Sequence, residues 1–214
     1  RVALSATLGD MGLTRRFLRP GSEAAVEEVV TDEGGQELRL QIRGYESRPP
    51  RVEEIADNAA APLEEIMAGD VVDISEHIFD TFRGGRHIIF ANRRMEVETH
   101  ADLLRRRCDR EGVPNEFFPH HGSLARSFRE DVERTLKEAG RPATAIATTT
   151  LELGVDLGSV ESIGQIGPPM SVASLRQRLG RSGRRGDPAV LRIYVQENQV
   201  TPETPPQDQI RTAL

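Results

Sequence analysis

The sequence predicts an α/β domain, a parallel sheet covered by helices on both faces. Two observations carry this. Compact apolar runs of strand length alternate with amphipathic stretches of helix length, which is the signature of successive βαβ units. Those runs, such as HIIFA at 87–91 and VLRIYV at 190–195, are apolar almost throughout, as strands buried on both faces must be.

Taken in order, residues 2–4 read as a short strand, residues 5–10 as a polar turn, and the stretch to Leu18 as a brief helix. An acidic stretch and a Gly34-Gly35 turn follow. Leu38, Leu40 and Ile42 then alternate with polar residues, the pattern of a strand near a sheet edge. Pro49, Pro50 and Pro62 punctuate the chain. Apolar residues recur at helical spacing from Leu63 through Ile66, Met67, Val71, Ile74 and Ile78 to Phe82, with Gly69 weakening the middle. After the strand at 87–91 comes an amphipathic helix over 94–111, stopped by Gly112 and Pro114. A short strand surrounds Phe117 and Phe118, and a helix over 125–139 ends at Gly140 and Pro142. Strands at 143–148 and 162–166, a helix at 171–179 and the strand at 190–195 complete the series. No internal repeat is present, and the Pro-containing tail after Gln196 reads as a linker.

Composition narrows the class. The chain has 214 residues, 37% hydrophobic and 29% charged, a globular balance sufficient for one sizeable α/β domain. No apolar run approaches the roughly 20 residues a helix needs to span a bilayer, so no membrane partner is expected. Cys108 is the only cysteine. An internal disulfide and a CxxC zinc site are thus both ruled out, and a reducing, cytoplasmic setting is the expectation. The start at Arg1 rather than Met reads as the beginning of a fragment. The net charge of −6 argues at first sight against nucleic acid, but the charges are unevenly placed. Six acidic residues and no basic one lie in 23–37, while six arginines against Asp187 alone lie in 176–192. An acidic chain can therefore present a basic site.

That basic segment carries the strongest motif, QRLGRSGRR at 177–185. Arg178, Arg181 and Arg184 are spaced by three and interleaved with Gly180 and Gly183. Guanidinium forks suit phosphate oxygens bidentately, and glycine lets a backbone approach a ligand closely. A second motif, ATTTLELGVD at 147–156, takes a strand ending in hydroxyl residues through a Gly-containing loop, an arrangement suited to phosphates. The plainer alternatives are an Arg-rich helix end for the first and an ordinary strand end for the second. Three shorter stretches lie in order with them: Ser5-Ala6-Thr7, IFANRR at 89–94 and HHGS at 120–123. For the last, a capping turn with Ser123 leading the next helix is the alternative.

Together these stretches resemble superfamily-2 helicases, and specifically their second, C-terminal RecA-like lobe. The first motif resembles helicase motif VI, the second motif V, and the three shorter ones motifs III, IV and IVa. LELGVD, HHGS and SVASLRQRLGRSGRR are most similar to the Lhr-type (large helicase-related) branch. The resemblance implies a RecA-like three-layer fold. It also implies roles: Arg181 and Arg184 as arginine fingers, Gln177, Gly154 and Asp156 on the nucleotide side, with Asp156 near the ribose. Asn92, Arg93, Gly122, Ser123 and Thr148 would meet the nucleic-acid backbone, and Ser5, Ala6 and Thr7 would couple ATP hydrolysis to strand separation. ATP and Mg²⁺ are the implied cofactors, the Mg²⁺ held by a first lobe outside this chain. Single-stranded nucleic acid, leaning to DNA, and that first lobe are the implied partners. No metal site is expected within the chain itself.

A complete motor needs a GxxxxGK[ST] phosphate cradle and an acidic box for Mg²⁺. Neither is here, for the only lysine is Lys137. The expected organisation is therefore 1–18 as the tail end of the first lobe, 19–62 as connector and edge strand, 63–195 as the second lobe and 196–214 as a linker. The expected function is a motor lobe of an ATP-dependent helicase or translocase, inactive alone. A RecA-like nucleic-acid-binding or regulatory module without ATPase activity is the alternative.

Overall fold

The structure, a computed structural model, describes residues 11–22, 26, 37–51, 68–138, 140–152, 157–183, 187–198 and 201–203. Its elements follow the order α1 (Met11–Leu18), β1 (Leu38–Glu46), α2 (Gly69–Phe82), β2 (Arg86–Phe90), α3 (Arg94–Glu111), β3 (Phe117–His120), α4 (Arg126–Lys137), β4 (Ala143–Ala147), β5 (Ser162–Ile166), α5 (Val172–Leu179) and β6 (Ala189–Glu197). A 3₁₀ turn, Thr149–Leu151, follows β4. The six strands form one sheet in the order β1-β6-β5-β2-β4-β3, and every neighbouring pair is parallel.

Alternating residues of each strand feed two separate cores, as the two-residue strand period requires. On one face Ile89, Ile146, Ile166 and Tyr194 pack with Ile74, Ile78 and Phe82 of α2 and Val97, Leu104 and Cys108 of α3. On the other, Ile88, Phe90, Ala145, Ala147, Ile163 and Leu191 meet Val132 and Leu136 of α4, with Leu175 and Leu179 of α5 against them. The three-layer RecA-like architecture expected from the sequence is what the chain adopts. Gly164 in β5 reflects how closely α2 rides over the sheet. A Cβ there would stand 2.9 Å from Ile89 Cγ1 and 3.1 Å from Phe82 Cζ.

Two elements differ from the sequence reading. Leu63, Ile66 and Met67 lie outside the described residues, and α2 starts at Gly69, so the glycine is an initiator and not a weak middle. Its N–H donates to the Arg48 carbonyl at 2.9 Å, and the Arg48 guanidinium lies where a Cβ would be. That guanidinium grips both oxygens of Asp73, one turn into α2, and holds the Asp73 carboxyl below its usual range. The second difference concerns β1. It is the edge strand expected, pairing in register from Leu38 with Ala189 to Glu46 with Glu197. Its apolar row nevertheless stays open: Leu38, Leu40 and Ile42 are 46%, 52% and 63% exposed.

Two buried histidines sit in the α2/α3 core. His87 Nδ1 faces Ser162 Oγ at 2.8 Å, and His100 Nδ1 faces Ser75 Oγ at 2.8 Å. Burial lowers each to a pKa of about 4. In the unfolded chain both titrate near ~6.5. Between those values the unfolded chain binds more protons than the fold, so stability is present above ~6.5 and drains as pH falls toward 4. Urea unfolding at pH 7 and pH 4.5 is expected to show the loss. His100→Gln should flatten the pH dependence, its share being on the order of 3 kcal/mol.

Candidate functional site

All six strands being parallel, their carboxyl ends line one edge, where ligands of open α/β sheets bind. The turns leaving β2, β3, β4 and β5 meet there. Ala91 N donates to Ala147 O at 2.9 Å, and Thr148 N to His120 O at 3.2 Å. Asn92 Nδ2 reaches across to Pro168 O at 2.9 Å. Arg94 Nη1 donates to Ser123 Oγ at 3.3 Å. The structure thus brings Asn92, Arg93, Gly122, Ser123 and Thr148 to one edge. Gly122 and Ser123 are exposed there, as is Arg93. Ser5, Ala6, Thr7, Gly154, Asp156 and Arg184 lie outside the described residues.

Local chemistry explains these turns and sets aside the capping alternative for Ser123. Helix α3 is capped from within. Glu96 Oε2 accepts from Asn92 N at 3.0 Å and Arg93 N at 3.1 Å, placing a carboxylate where the helix dipole favours an anion. Ser123 does not cap α4. The N-cap is Ala125, with no side-chain hydrogen bond, because the turn closes through Leu124 N to His121 O at 3.1 Å.

His120 is buried at the end of the edge formed by the outermost strand, β3. Its Nδ1 lies 2.8 Å from Thr150 Oγ1 and its Nε2 3.1 Å from Glu133 Oε1, so one ring ties the β3 turn, α4 and the 3₁₀ turn together. Desolvation outweighs the nearby Glu133 carboxylate and lowers its pKa. His121 Nε2 comes within 3.2 Å of Glu98 Oε1 without the alignment of a hydrogen bond, leaving both ring nitrogens without one. No group of three or more His, Cys, Asp or Glu gathers as metal ligands among the described residues.

The basic segment divides its arginines. Arg178, on α5, is wholly buried. Its Nε donates to Glu152 Oε1 at 2.8 Å, its Nη2 pairs with the same oxygen, its Nη1 meets Gln165 Oε1, and its guanidinium lies 4.6 Å over the Phe90 ring. Ser174 Oγ donates to Glu152 Oε1 at 2.9 Å. Arg181, half-buried, donates from Nη2 to the Glu152 carbonyl at 2.6 Å. Gln177 stands half-buried on α5 beside Arg178. Gly183, at φ 71°, takes the left-handed backbone that glycine allows.

Sequence reasoning grouped Arg178 with the phosphate-facing arginines and passed over Glu152, Gln165, Ser174 and Glu96. A signal for two of them existed. Gln165 is a polar residue in the middle of an apolar stretch, between Gly164 and Ile166, and Glu152 sits between two leucines after another strand. Buried polar groups of that kind demand partners.

The family of the helicase conserved C-terminal domain matches residues 70–186. The chain belongs to it. Among relatives, the ATP-dependent helicase Lhr-Core of Methanocaldococcus jannaschii is 34% identical over 194 residues, covering 86% of this chain and 22% of its own length. The Lhr-Core helicase of Methanothermobacter thermautotrophicus is 27% identical over 190 residues, covering 86% and 20%. Of solved structures, Mycobacterium smegmatis helicase Lhr bound to ssDNA and AMP-PNP is similar with a TM-score of 0.57 and 28% identity, over 75% of this chain and 20% of that one. The helicase MrfA bound to DNA has a TM-score of 0.58 and 26% identity, over 87% and 23%. The C-terminal domain of the DEAD-box protein Dbp5, at 20% identity and a TM-score of 0.50, shares the fold. This helicase C-terminal lobe is thus of superfamily 2 and of Lhr type. It spans about a fifth of the length of the curated relatives it matches.

The buried pair gives a stability test of the lobe. Removing one partner strands the other charge, so Arg178→Ala should lower the unfolding free energy by about 3–5 kcal/mol. Replacing both, Glu152→Leu with Arg178→Met, should cost much less. Chemical denaturation of the two variants beside the wild type measures it.

Proposed function

We infer that this chain is the second motor lobe of an ATP-dependent DNA (or RNA) helicase or translocase. It supplies arginine fingers and a track for the nucleic-acid backbone, and is inactive without a P-loop lobe. The observation that carries the reading is that motifs IV and IVa and the start of motif V meet at one carboxyl edge, with motif VI tied to motif V through Glu152, in a chain that belongs to the helicase C-terminal family. Relatives named as ATP-dependent helicases and a similar structure bound to ssDNA and AMP-PNP support ATP and single-stranded nucleic acid as its ligands.

The donor set suits a triphosphate: Arg181 and Arg184 carry guanidinium forks and Gln177 an amide on the neighbouring turn of α5. Arg181 and Arg184 would offset the charge that develops on the transferred phosphoryl group, while Gln177, Gly154 and Asp156 orient the nucleotide. Mg²⁺ would be held by the other lobe, since the acidic box is a first-lobe motif. Ser5, Ala6 and Thr7 would couple hydrolysis to strand separation. The chain would then divide into a first-lobe tail at 1–18, a connector and edge strand at 19–62, the lobe at 63–195 and a linker at 196–214. No helix among the described residues is long and apolar enough to cross a membrane.

Two outcomes are expected. The 214-residue chain alone turns over no ATP, with or without nucleic acid. In the full-length protein Arg181→Ala or Arg184→Ala lowers kcat on the order of 10³-fold with little change in ATP binding, because a finger acts on charge present mainly in the transition state. Steady-state ATPase assays with a nucleotide-binding titration check both. Turnover by the isolated chain, or near wild-type kcat in both variants, overturns the reading.

The track, formed by Thr148, Asn92, Arg93 and the Gly122-Ser123 turn, would grip phosphates and read no bases. Single-strand affinity should therefore fall steeply between low and physiological salt. Arg93→Ala should weaken binding equally for different sequences. Fluorescence anisotropy with several oligonucleotides at graded salt measures this, and a base preference surviving high salt contradicts it.

A further inference from the structure

We propose that Glu152 is a positioning residue for the Arg181 finger, an assignment that rests on the finger reading above. The geometry is a closed ring. The Glu152 carboxylate takes Arg178 through Nε at 2.8 Å and through Nη2. The Arg178 carbonyl accepts from Arg181 N at 3.0 Å. The Arg181 guanidinium then returns to the Glu152 carbonyl at 2.6 Å. Two arginines three residues apart thus converge on the two ends of one acidic residue.

Each link of the ring is fixed from outside. Glu152 N donates to Thr149 O at 3.1 Å, anchoring the residue to the 3₁₀ turn. Its carboxylate takes a further hydrogen bond from Ser174 of α5 at 2.9 Å. Arg178 is wholly buried, held by Gln165 of β5 and the Phe90 ring of β2. Val160 N donates to Arg181 O at 3.0 Å, so the backbone that carries the finger is pinned as well. Arginine side chains are long and rich in rotamers, and a guanidinium stabilises developing charge only when aimed in advance. Glu152 supplies that aim. Its carbonyl gives the Arg181 fork a fixed rest position, and its ion pair with Arg178 fixes the carbonyl.

The same ring reaches the nucleic-acid side. Thr150, two residues before Glu152, donates from Oγ1 to the His120 carbonyl at 3.2 Å, and that carbonyl also accepts from Thr148 N. Displacement of the track turn is therefore passed to Glu152 through one short 3₁₀ turn.

The test is a double-mutant cycle in the full-length protein, with thermal unfolding followed beside it. Glu152→Gln keeps an oxygen for Arg178 but removes the charge. It should lower kcat about tenfold or more while KM for ATP stays within about threefold. In an Arg181→Ala background the same change should cost less than about twofold, because there is no finger left to aim. Ser174→Ala, which removes a single hydrogen bond from the carboxylate, serves if Glu152→Gln does not fold. A kcat loss of about threefold that vanishes in the Arg181→Ala background is expected of it. Equal proportional losses in both backgrounds, or a rise in KM with kcat unchanged, would make Glu152 a structural residue only and overturn the proposal. Near wild-type turnover by Arg181→Ala itself would overturn the finger reading, and the positioning role with it.

Discussion

Parallel pairing governs this lobe. A strand cannot return to pair in parallel with its predecessor through a tight turn, so each of the five connections must carry chain back across a sheet face, and a helix is the usual way. Both faces of the central strands are thereby covered, which is why β4 and β5 are buried along their whole length and β2 in all but Arg86. The same constraint sends the carboxyl ends to one edge. Residues far apart in sequence, Asn92 and Pro168 or Thr148 and His120, become hydrogen-bonded neighbours there. The site is a by-product of the strand direction.

The fold was largely readable because its signals are local. A five-residue apolar run between helix stretches leaves few alternatives, and Gly112 ends α3 where a left-handed cap is needed, at φ 64°. The edge position of β1 followed from its alternation. The start of α2 did not, because the decisive contact is the Arg48 carbonyl and guanidinium, brought to Gly69 by tertiary structure. Ser123 likewise has the chemistry of a cap, but the turn closes one residue later and its hydroxyl meets Arg94.

The candidate site was legible as a set of motifs and not as a division of labour. Arg178 and Arg181 look alike in the sequence, each occupying one of the regularly spaced positions of a phosphate motif. Only burial separates them: the first is sealed against Glu152, Gln165 and Phe90, while the second remains half-buried with its guanidinium on the Glu152 carbonyl. The α3 terminus shows a similar limit. By spacing, the amides of the turn that leads into it are open to phosphate, yet Glu96 folds back onto two of them, those of Asn92 and Arg93. The Glu96 carboxylate already occupies that turn, while the Arg93 side chain stays exposed.

The pairing of β1 with β6 carries a consequence for how the chain is made. The first described strand hydrogen-bonds to the last, in register from Leu38 with Ala189, and among the described residues β6 is its sole strand neighbour in the sheet. During synthesis β1 leaves the ribosome long before β6 exists. Throughout that interval its amide and carbonyl rows are unpaired, and Leu38, Leu40 and Ile42 offer an apolar stripe that even the finished lobe leaves open. Long-range parallel pairing is slow to close, and an unpaired apolar strand is a template for other chains. Nascent-chain aggregation and chaperone demand should therefore concentrate on this strand.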